Sequence, residues 1–191
     1  IGEWVLQQAC RDAVHWGPKV SIAINVSPIQ LRQRLFVDSV TKALAASQLH
    51  PKRLELEITE NAILYDTELT TATLYQLRDL GVRVALDDFG TGYSSINYLA
   101  RYPFDKIKID RSYVSAASKS SQAMALVEMI AMLGRAWNVA TTAEGVETLA
   151  EADQIRKAGC TEMQGYWLSR PVPLESTQAL LDRHLSFESV Q

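Results

Sequence analysis

Two adjacent carboxylates, Asp87 and Asp88, follow an apolar run at residues 82–86 that predicts a buried strand, and Gly90 and Gly92 come shortly after them. Two ionised carboxylates side by side repel each other unless positive charge lies between them. A buried strand that opens into Asp-Asp and a glycine-containing loop is therefore typical of a site for a hard divalent cation. The alternative is an ordinary acidic turn, because Asp is also common in loops.

Polar side chains also end the other predicted strands. Besides the aspartate pair, these strand-end residues are Asn25, Glu57, Lys108, Glu144 and Gln164. In a parallel barrel the carboxyl ends of the strands meet at one rim, where active sites are built. The carboxylate and amide oxygens suit Mg²⁺ or Mn²⁺ rather than zinc. Because they exceed what one ion needs, they predict two ions with a bridging ligand, the arrangement that cleaves phosphodiesters.

Lys108 is the one basic residue at this predicted rim. Its neighbours Ile107 and Ile109 face the opposite side of the strand, so Lys108 points either into the barrel or outward toward helices. A lysine buried against helices without a partner would be costly, which favours the rim over a surface position. There it can hold an attacking water or neutralise developing charge.

Strand-like and helix-like segments alternate along the whole chain. Strands are predicted over residues 20–24, 54–58, 82–86, 106–109, 139–143 and 161–165, and helices over 1–16, 28–49, 67–80, 94–100, 123–137, 148–158 and 174–184. This alternation indicates βαβ units and a parallel sheet. An open nucleotide-binding sheet would usually carry a glycine-rich loop after its first strand, and none is present. We therefore predict an α/β barrel. A (β/α)8 barrel has eight strands, so the six predicted strands leave two unaccounted for, and we expect these to be the first two.

Composition sets further bounds on function. The chain has 191 residues, of which 47% are hydrophobic and 21% charged, as in an ordinary globular domain. The net charge of −3 argues against binding to nucleic-acid polymers, so metal must supply positive charge for a phosphate ligand. Cys10 and Cys160 lie far apart and form neither a disulfide framework nor a zinc pattern. We expect a cytoplasmic location, alone or as the cytoplasmic domain of a membrane-anchored protein.

Six segments, taken in order, resemble the successive motifs of the EAL-domain family of bacterial cyclic-di-GMP phosphodiesterases. They are residues 25–31, 56–60, 87–95, 108–110, 143–148 and 164–166. The resemblance implies a TIM-like (β/α)8 barrel with one antiparallel strand, here over residues 1–185 and followed by a tail at 186–191. It also implies hydrolysis of cyclic di-GMP to linear pGpG with two Mg²⁺ or Mn²⁺ ions.

The resemblance assigns roles residue by residue. The implied metal ligands are Asn25, Glu57, Asp87 and Asp88, with Asp87 shared by both ions. Glu144 would be the general base, and Lys108 would position the attacking water.

The remaining implied roles concern the surroundings of the substrate and the dimer. The residues that would line the substrate or metal surroundings are Asp110, Glu147 and Gln164. Glu60 would brace the loop beginning at Asp88, and that loop with its short helix would form a homodimer contact. Sensor or GGDEF-type regulatory domains are further expected partners in the full protein.

One departure from the family pattern bears on activity. The Glu-Ala-Leu or Glu-Val-Leu motif that names the family, and its nearby arginine, are absent, and both belong to the two strands that the barrel lacks. We expect about 60 further residues in front of Ile1. An active phosphodiesterase is favoured because the other motif carboxylates are present. A receptor that binds cyclic di-GMP without cutting it, and a protein-interaction scaffold, stay open.

Overall fold

Six parallel strands form one sheet in the computed structural model. The structure describes residues 1–64, 68–90, 99 and 101–188. Within these ranges, the side chains of residues 64 and 183–188 are not described. The strands are β1 (Ile22–Val26), β2 (Leu54–Thr59), β3 (Arg83–Phe89), β4 (Lys106–Ile109), β5 (Ala140–Ala143) and β6 (Glu162–Met163). Each predicted strand is present, with ends shifted by a few residues. The largest extension is in β3, which continues through Asp87 and Asp88 to Phe89.

Helices connect the strands. They are α1 (Gly2–Ala13), α2 (Pro28–Leu31), α3 (Phe36–Ser47), α4 (Glu60–Leu64), α5 (Glu68–Asp79), α6 (Arg111–Ala117), α7 (Ser121–Trp137), α8 (Leu149–Ala158) and α9 (Leu174–Glu188), with a 3-10 turn at Pro51–Arg53. Within the described chain, no helix is both long enough and apolar enough to cross a bilayer.

Several helices differ from the prediction. The helix expected over residues 28–49 is divided into α2 and α3, and neither α4 nor α6 was predicted. The last helix continues to Glu188, so part of the expected tail at 186–191 is helical. The helix expected over residues 94–100 lies, apart from Leu99, outside the described residues.

The strands are arranged in the order β1-β2-β3-β4-β5-β6, and every neighbouring pair is parallel. A sheet whose spatial order follows chain order winds in one direction, as a barrel does, whereas a doubly wound sheet reverses. The prediction of a parallel α/β barrel rather than an open doubly wound sheet is therefore confirmed. The antiparallel strand that the resemblance implies is not among the six described strands.

Alternation along the strands separates the two sides of the sheet. On β2, Leu54, Leu56 and Ile58 are buried, and together with β3 and β4 residues they belong to the apolar core beneath the helices. The residues between them, Glu55 and Glu57, face a cavity on the other side of the sheet. Since successive side chains of a strand point to opposite faces, this strand presents its charged side chains to the barrel interior.

Asp105 connects three strands at the end opposite the rim. Its backbone N–H donates to Val84 O at 2.9 Å, and its Oδ2 accepts from Val84 N–H at 2.8 Å. The Ala140 N–H donates to Asp105 O at 3.0 Å. These bonds hold the amino-terminal ends of β3, β4 and β5 together. The alignment of the three strands along their length is therefore fixed at the end opposite the carboxylates.

Candidate active site

Lys108 lies among carboxylates from three neighbouring strands. Its Nζ is 2.9 Å from Oε2 of Glu57, 3.0 Å from Oδ1 of Asp87 and 2.6 Å from Oε1 of Glu144. The Lys108 side chain is only 5% exposed. Lys108 therefore points into the barrel, as predicted, and brings the ends of β2, β3 and β5 to one point.

An irregularity in β3 presents both aspartates to this point. The pairing of β3 with β4 shifts between Leu86 and Phe89, and Asp88 has a φ of 56°. In a regular strand, consecutive side chains would face opposite sides of the sheet. Asp is one of the few residue types that adopt the left-handed region readily, so the turn at Asp88 lets both carboxylates approach the same site.

Asp87, Asp88 and Glu144 form a candidate metal site. Within the described part of the chain, each of them offers an oxygen, and these oxygens lie within 4.8 Å of one another. An all-oxygen donor set suits a hard divalent cation such as Mg²⁺ or Mn²⁺. Two of the four expected ligands are in this cluster, together with Glu144, which was expected to act as a base.

The other two expected ligands are placed differently. Glu57 joins the site through Lys108 rather than through the three-carboxylate cluster. Asn25 is exposed on β1, where it is the direct register partner of Glu57. Because register partners on adjacent strands are close neighbours, Asn25 borders the site on its β1 side.

The charges of the site are unbalanced. Burial tends to lower the pKa of Lys108, but hydrogen bonds to Glu144 and Glu57 outweigh it and raise that pKa, so the ammonium stays charged. Burial raises the pKa of Glu144, with Lys108 opposing it and Asp87 and Glu57 adding to it. Burial, Asp87 and Asp110 raise the pKa of Asp88, again against Lys108. The site therefore holds more negative than positive charge, with one ammonium among several carboxylates. The residues present fit an additional cation.

A cavity of about 350 Å³ adjoins the carboxylate cluster. It is lined by Asp88, Asp110, Arg111, Glu144, Gly145, Glu147, Gln164, Gly165 and Tyr166. The three residues predicted to line the substrate surroundings therefore lie together, beside Glu144. Arg111 and Tyr166 were not predicted as site residues, although Arg111 directly follows Asp110 and Tyr166 comes two residues after Gln164.

Close backbone packing shapes the β5–β6 side of this cavity. The Val146 N–H donates to Gln164 O at 3.0 Å, and the Gln164 N–H donates to Ala143 O at 2.8 Å. Gly145 has a φ of 66°, and a Cβ on Gly165 would overlap the backbone of Val146. The two glycines therefore allow the segments that carry Glu144 and Gln164 to lie against each other.

Asp110 has a structural role as well. Its Oδ1 accepts a hydrogen bond from Ser112 N–H at 3.0 Å and caps α6. Glu60 is buried in the first turn of α4. The loop that Glu60 was expected to brace, and the expected dimer contact, extend into residues 91–98, outside the described residues, so both roles stay predictions.

Comparison with known proteins identifies the family. The family model of the EAL domain matches residues 1–171. The chain belongs to the EAL-domain family. This EAL domain is 42% identical over 183 residues to the bifunctional diguanylate cyclase/cyclic di-GMP phosphodiesterase MucR of Pseudomonas aeruginosa, covering 94% of the chain and 27% of MucR. The chain spans about a quarter of the length of the curated relatives that it matches.

Solved structures of EAL proteins share the fold. The P. aeruginosa MucR phosphodiesterase in complex with c-di-GMP superposes with a TM-score of 0.88 at 41% identity, over 92% of this chain and 73% of that one. Klebsiella pneumoniae BlrP1 in a manganese and c-di-GMP complex gives a TM-score of 0.83 at 31% identity, over 89% of this chain and 44% of that one.

Proposed function

We propose that this EAL domain, within its full-length protein, hydrolyses cyclic di-GMP to linear pGpG with the help of two Mg²⁺ or Mn²⁺ ions. The observation that carries the proposal is the convergence of Glu57, Asp87 and Glu144 on Lys108, with Asp88 beside them. The MucR structure with c-di-GMP and the BlrP1 structure with manganese support the choice of substrate and metal.

The metal ligands would be Asp87 and Asp88, with Glu57 and Asn25 on the neighbouring strands. Bound there, divalent ions would lower the pKa of a water and offset the charge of the phosphate. Asp87 and Glu144 both contact Lys108 and belong to the group with Asp88. Because Glu144 would act as the base, Asp87 is the ligand that we assign to both ions, as the family resemblance implies.

Glu144 is the proposed general base. Its raised pKa makes it a better proton acceptor than an ordinary surface carboxylate. In the proposed step the water oxygen bonds to phosphorus and Glu144 takes the water's proton. The bond from phosphorus to the ribose O3′ breaks, because pGpG keeps its phosphate on the 5′ side, and the leaving oxygen gains a proton from solvent. Lys108 holds Glu144 in place and can donate to the attacking water.

The adjoining cavity would hold the ligand beside the base. Arg111 offers a guanidinium that can bind a phosphate oxygen, and Asp110, Glu147 and Gln164 offer acceptors to guanine and ribose donors. We also infer that the protein acts as a cytoplasmic homodimer with regulatory domains. The presence of more than one activity in MucR, of which this chain matches 27%, supports the inference of further domains.

The test is turnover by the full-length protein. With Mn²⁺ and cyclic di-GMP, we expect the wild type to form pGpG and Glu144→Gln to bind the ligand while its turnover falls by about 100-fold or more. Glu128→Gln, an exposed substitution on α7, is the matched control and should behave as wild type. Binding by the wild type without turnover would replace the enzyme proposal with that of a receptor, and loss of binding in Glu144→Gln would make Glu144 a structural ligand.

A further inference from the structure

A second set of charged side chains lies inside the barrel, one step below the candidate active site. Lys106 Nζ is 2.9 Å from Oε1 of Glu55 and 2.7 Å from Oε2 of Glu162. Thr142 Oγ1 donates to the same Glu162 oxygen at 3.0 Å. The Lys106 and Glu55 side chains are 15% and 5% exposed, whereas that of Glu162 is 46% exposed. Within this lower ion cluster, the Lys106–Glu55 pair is therefore largely removed from solvent, and Glu162 lies on its open side.

The lower ion cluster repeats the pattern of the site above it. Glu55 precedes Glu57 by two residues on β2, and Lys106 precedes Lys108 by two residues on β4. Because residues two apart on a strand share a face, each lower side chain lies directly beneath its counterpart. Alternate strands β2, β4 and β6 contribute Glu55, Lys106 and Glu162, as in one layer of a (β/α)8 barrel interior, but with charges in place of branched apolar side chains.

The two lysines therefore face two sets of carboxylates that are close neighbours. A nearly buried carboxylate without a cation is costly, and a lysine ammonium on its flexible stem can reach more than one acceptor. If Lys106 lost its charge, Glu55 would be left without its ammonium partner. Its neighbouring cations would then be Arg83, the exposed register partner of Glu55 on β3, and the buried Lys108 one layer above. A shift of Lys108 toward Glu55 would take the ammonium away from Glu144.

We propose that Lys106 is a positioning residue for hydrolysis: by holding Glu55 and Glu162 it keeps the Lys108 ammonium on Glu57, Asp87 and Glu144. The inference rests on the proposed function in one respect, since its kinetic consequence requires that the protein hydrolyse its ligand. Its structural part, the place of the Lys108 ammonium, stands independently of turnover.

The experiment compares Lys106→Met with the double variant Lys106→Met/Glu55→Gln in the full-length protein. We expect Lys106→Met to lower kcat by at least about tenfold with little change in KM, since a misplaced group impairs the chemical step. The double variant removes the competing carboxylate and should recover most of kcat. Lys106→Arg, which keeps the charge, and Lys42→Met, at an exposed position on α3, should stay near wild type.

The second readout is the NMR signal of the Lys108 side-chain ammonium, assigned with Lys108→Arg. The chemical shift of this signal should change in Lys106→Met and return toward the wild-type value in the double variant. If Lys106→Met fails to fold, Lys106→Gln removes the charge while keeping a polar side chain, and it should show the same shift. An unmoved Lys108 signal in the uncharged variants, or a kcat that Glu55→Gln does not recover, would overturn the proposal. A wild type that never turns over would refute the proposed function, while the Lys108 signal would still decide the position of the ammonium.

Discussion

The Lys108 ammonium lies 2.6 Å from Oε1 of Glu144, the shortest of its three carboxylate contacts. This contact joins the proposed base to the residue that the family resemblance assigns to the attacking water. A charge-assisted hydrogen bond of this length fixes the carboxylate orientation. Glu144 lies just beyond the end of β5, but this contact ties its carboxylate to Lys108 on β4.

Replacement of Lys108 by methionine should destabilise the protein when no metal is added. The change leaves Glu57, Asp87 and Glu144 without the ammonium that separates their charges, and we expect the free energy of unfolding to fall by about 3 kcal/mol. Urea unfolding in the presence of a chelator measures this loss. Lys157→Met, at an exposed position of α8, is the matched control and should change stability by no more than about 0.5 kcal/mol.

Mn²⁺ should recover part of the lost stability of Lys108→Met. A divalent ion bound among the carboxylates stabilises the folded state by mass action, and the repulsion that it relieves is greater in the variant than in the wild type. The melting temperature of Lys108→Met should therefore rise more with Mn²⁺ than that of the wild type. Equal rises in both proteins would contradict the assignment of these carboxylates to a metal site.

Asp87→Asn should abolish turnover while preserving the fold. The substitution keeps the shape of the side chain but removes the charge that we assign to both ions. We expect an unchanged far-UV circular dichroism spectrum, weaker Mn²⁺ binding in calorimetry and no measurable pGpG. Asp79→Asn, exposed at the end of α5, controls for loss of an acidic charge elsewhere. Substantial hydrolysis by Asp87→Asn would rule out the two-ion assignment.

Gly165→Ala should disturb the cavity because its Cβ would overlap the backbone N and O of Val146. Backbone atoms cannot turn away as a side chain does, so the Gln164 segment must move. We expect a loss of stability of about 2 kcal/mol, measured by chemical unfolding, together with weaker binding of the ligand. Gly17→Ala is the control, since a Cβ there meets open space. Equal stability of the two variants would show that the 146–165 contact adjusts freely.

Cys10 should make stability depend on pH in the alkaline range. The thiol is fully buried, and burial raises its pKa from 9.0 to about 11. Because the folded state disfavours the thiolate, the stabilising contribution is complete below pH 9 and is lost as the pH rises through 11. The loss amounts to about 2–3 kcal/mol.

Comparison with Cys10→Ala isolates this effect from other groups that titrate in the same range. Urea unfolding of both proteins, under reducing conditions at pH 8 and 11, should show a steeper loss of stability in the wild type. Parallel losses would mean that Cys10 ionises as readily in the folded chain as in the unfolded one.

The sequence was sufficient to predict the parallel sheet and the placement of Lys108. The alternation of apolar and charged residues along β2 and β4 decides which side chains face the interior, and this depends only on the period of a strand. The caps at Ser27, Asn138 and Gly159 were also predictable, because these residue types satisfy helix ends in well-known ways.

Other features depend on contacts between distant segments. The turn at Asp88 combines a register shift with a left-handed residue, and no local pattern distinguishes it from a regular strand end. The grouping of Glu144 with the aspartates, rather than Glu57, follows from this turn. The helix α6 was missed because its seven residues, 111–117, span only about two turns, too few for a helical repeat to stand out. Asp110 caps this helix, but the sequence pattern indicated only a site residue there.

The bonds of Asp105 at the lower ends of β3, β4 and β5 have a consequence for how this domain can diverge. The strands are aligned by groups that take no part in the chemistry, so a carboxylate at the opposite ends can be exchanged without undoing the alignment. A single inherited change at Glu144 would then yield a descendant that still folds and still retains its nucleotide but no longer destroys it. A receptor for the nucleotide and an enzyme that hydrolyses it would then differ by a single amino-acid substitution.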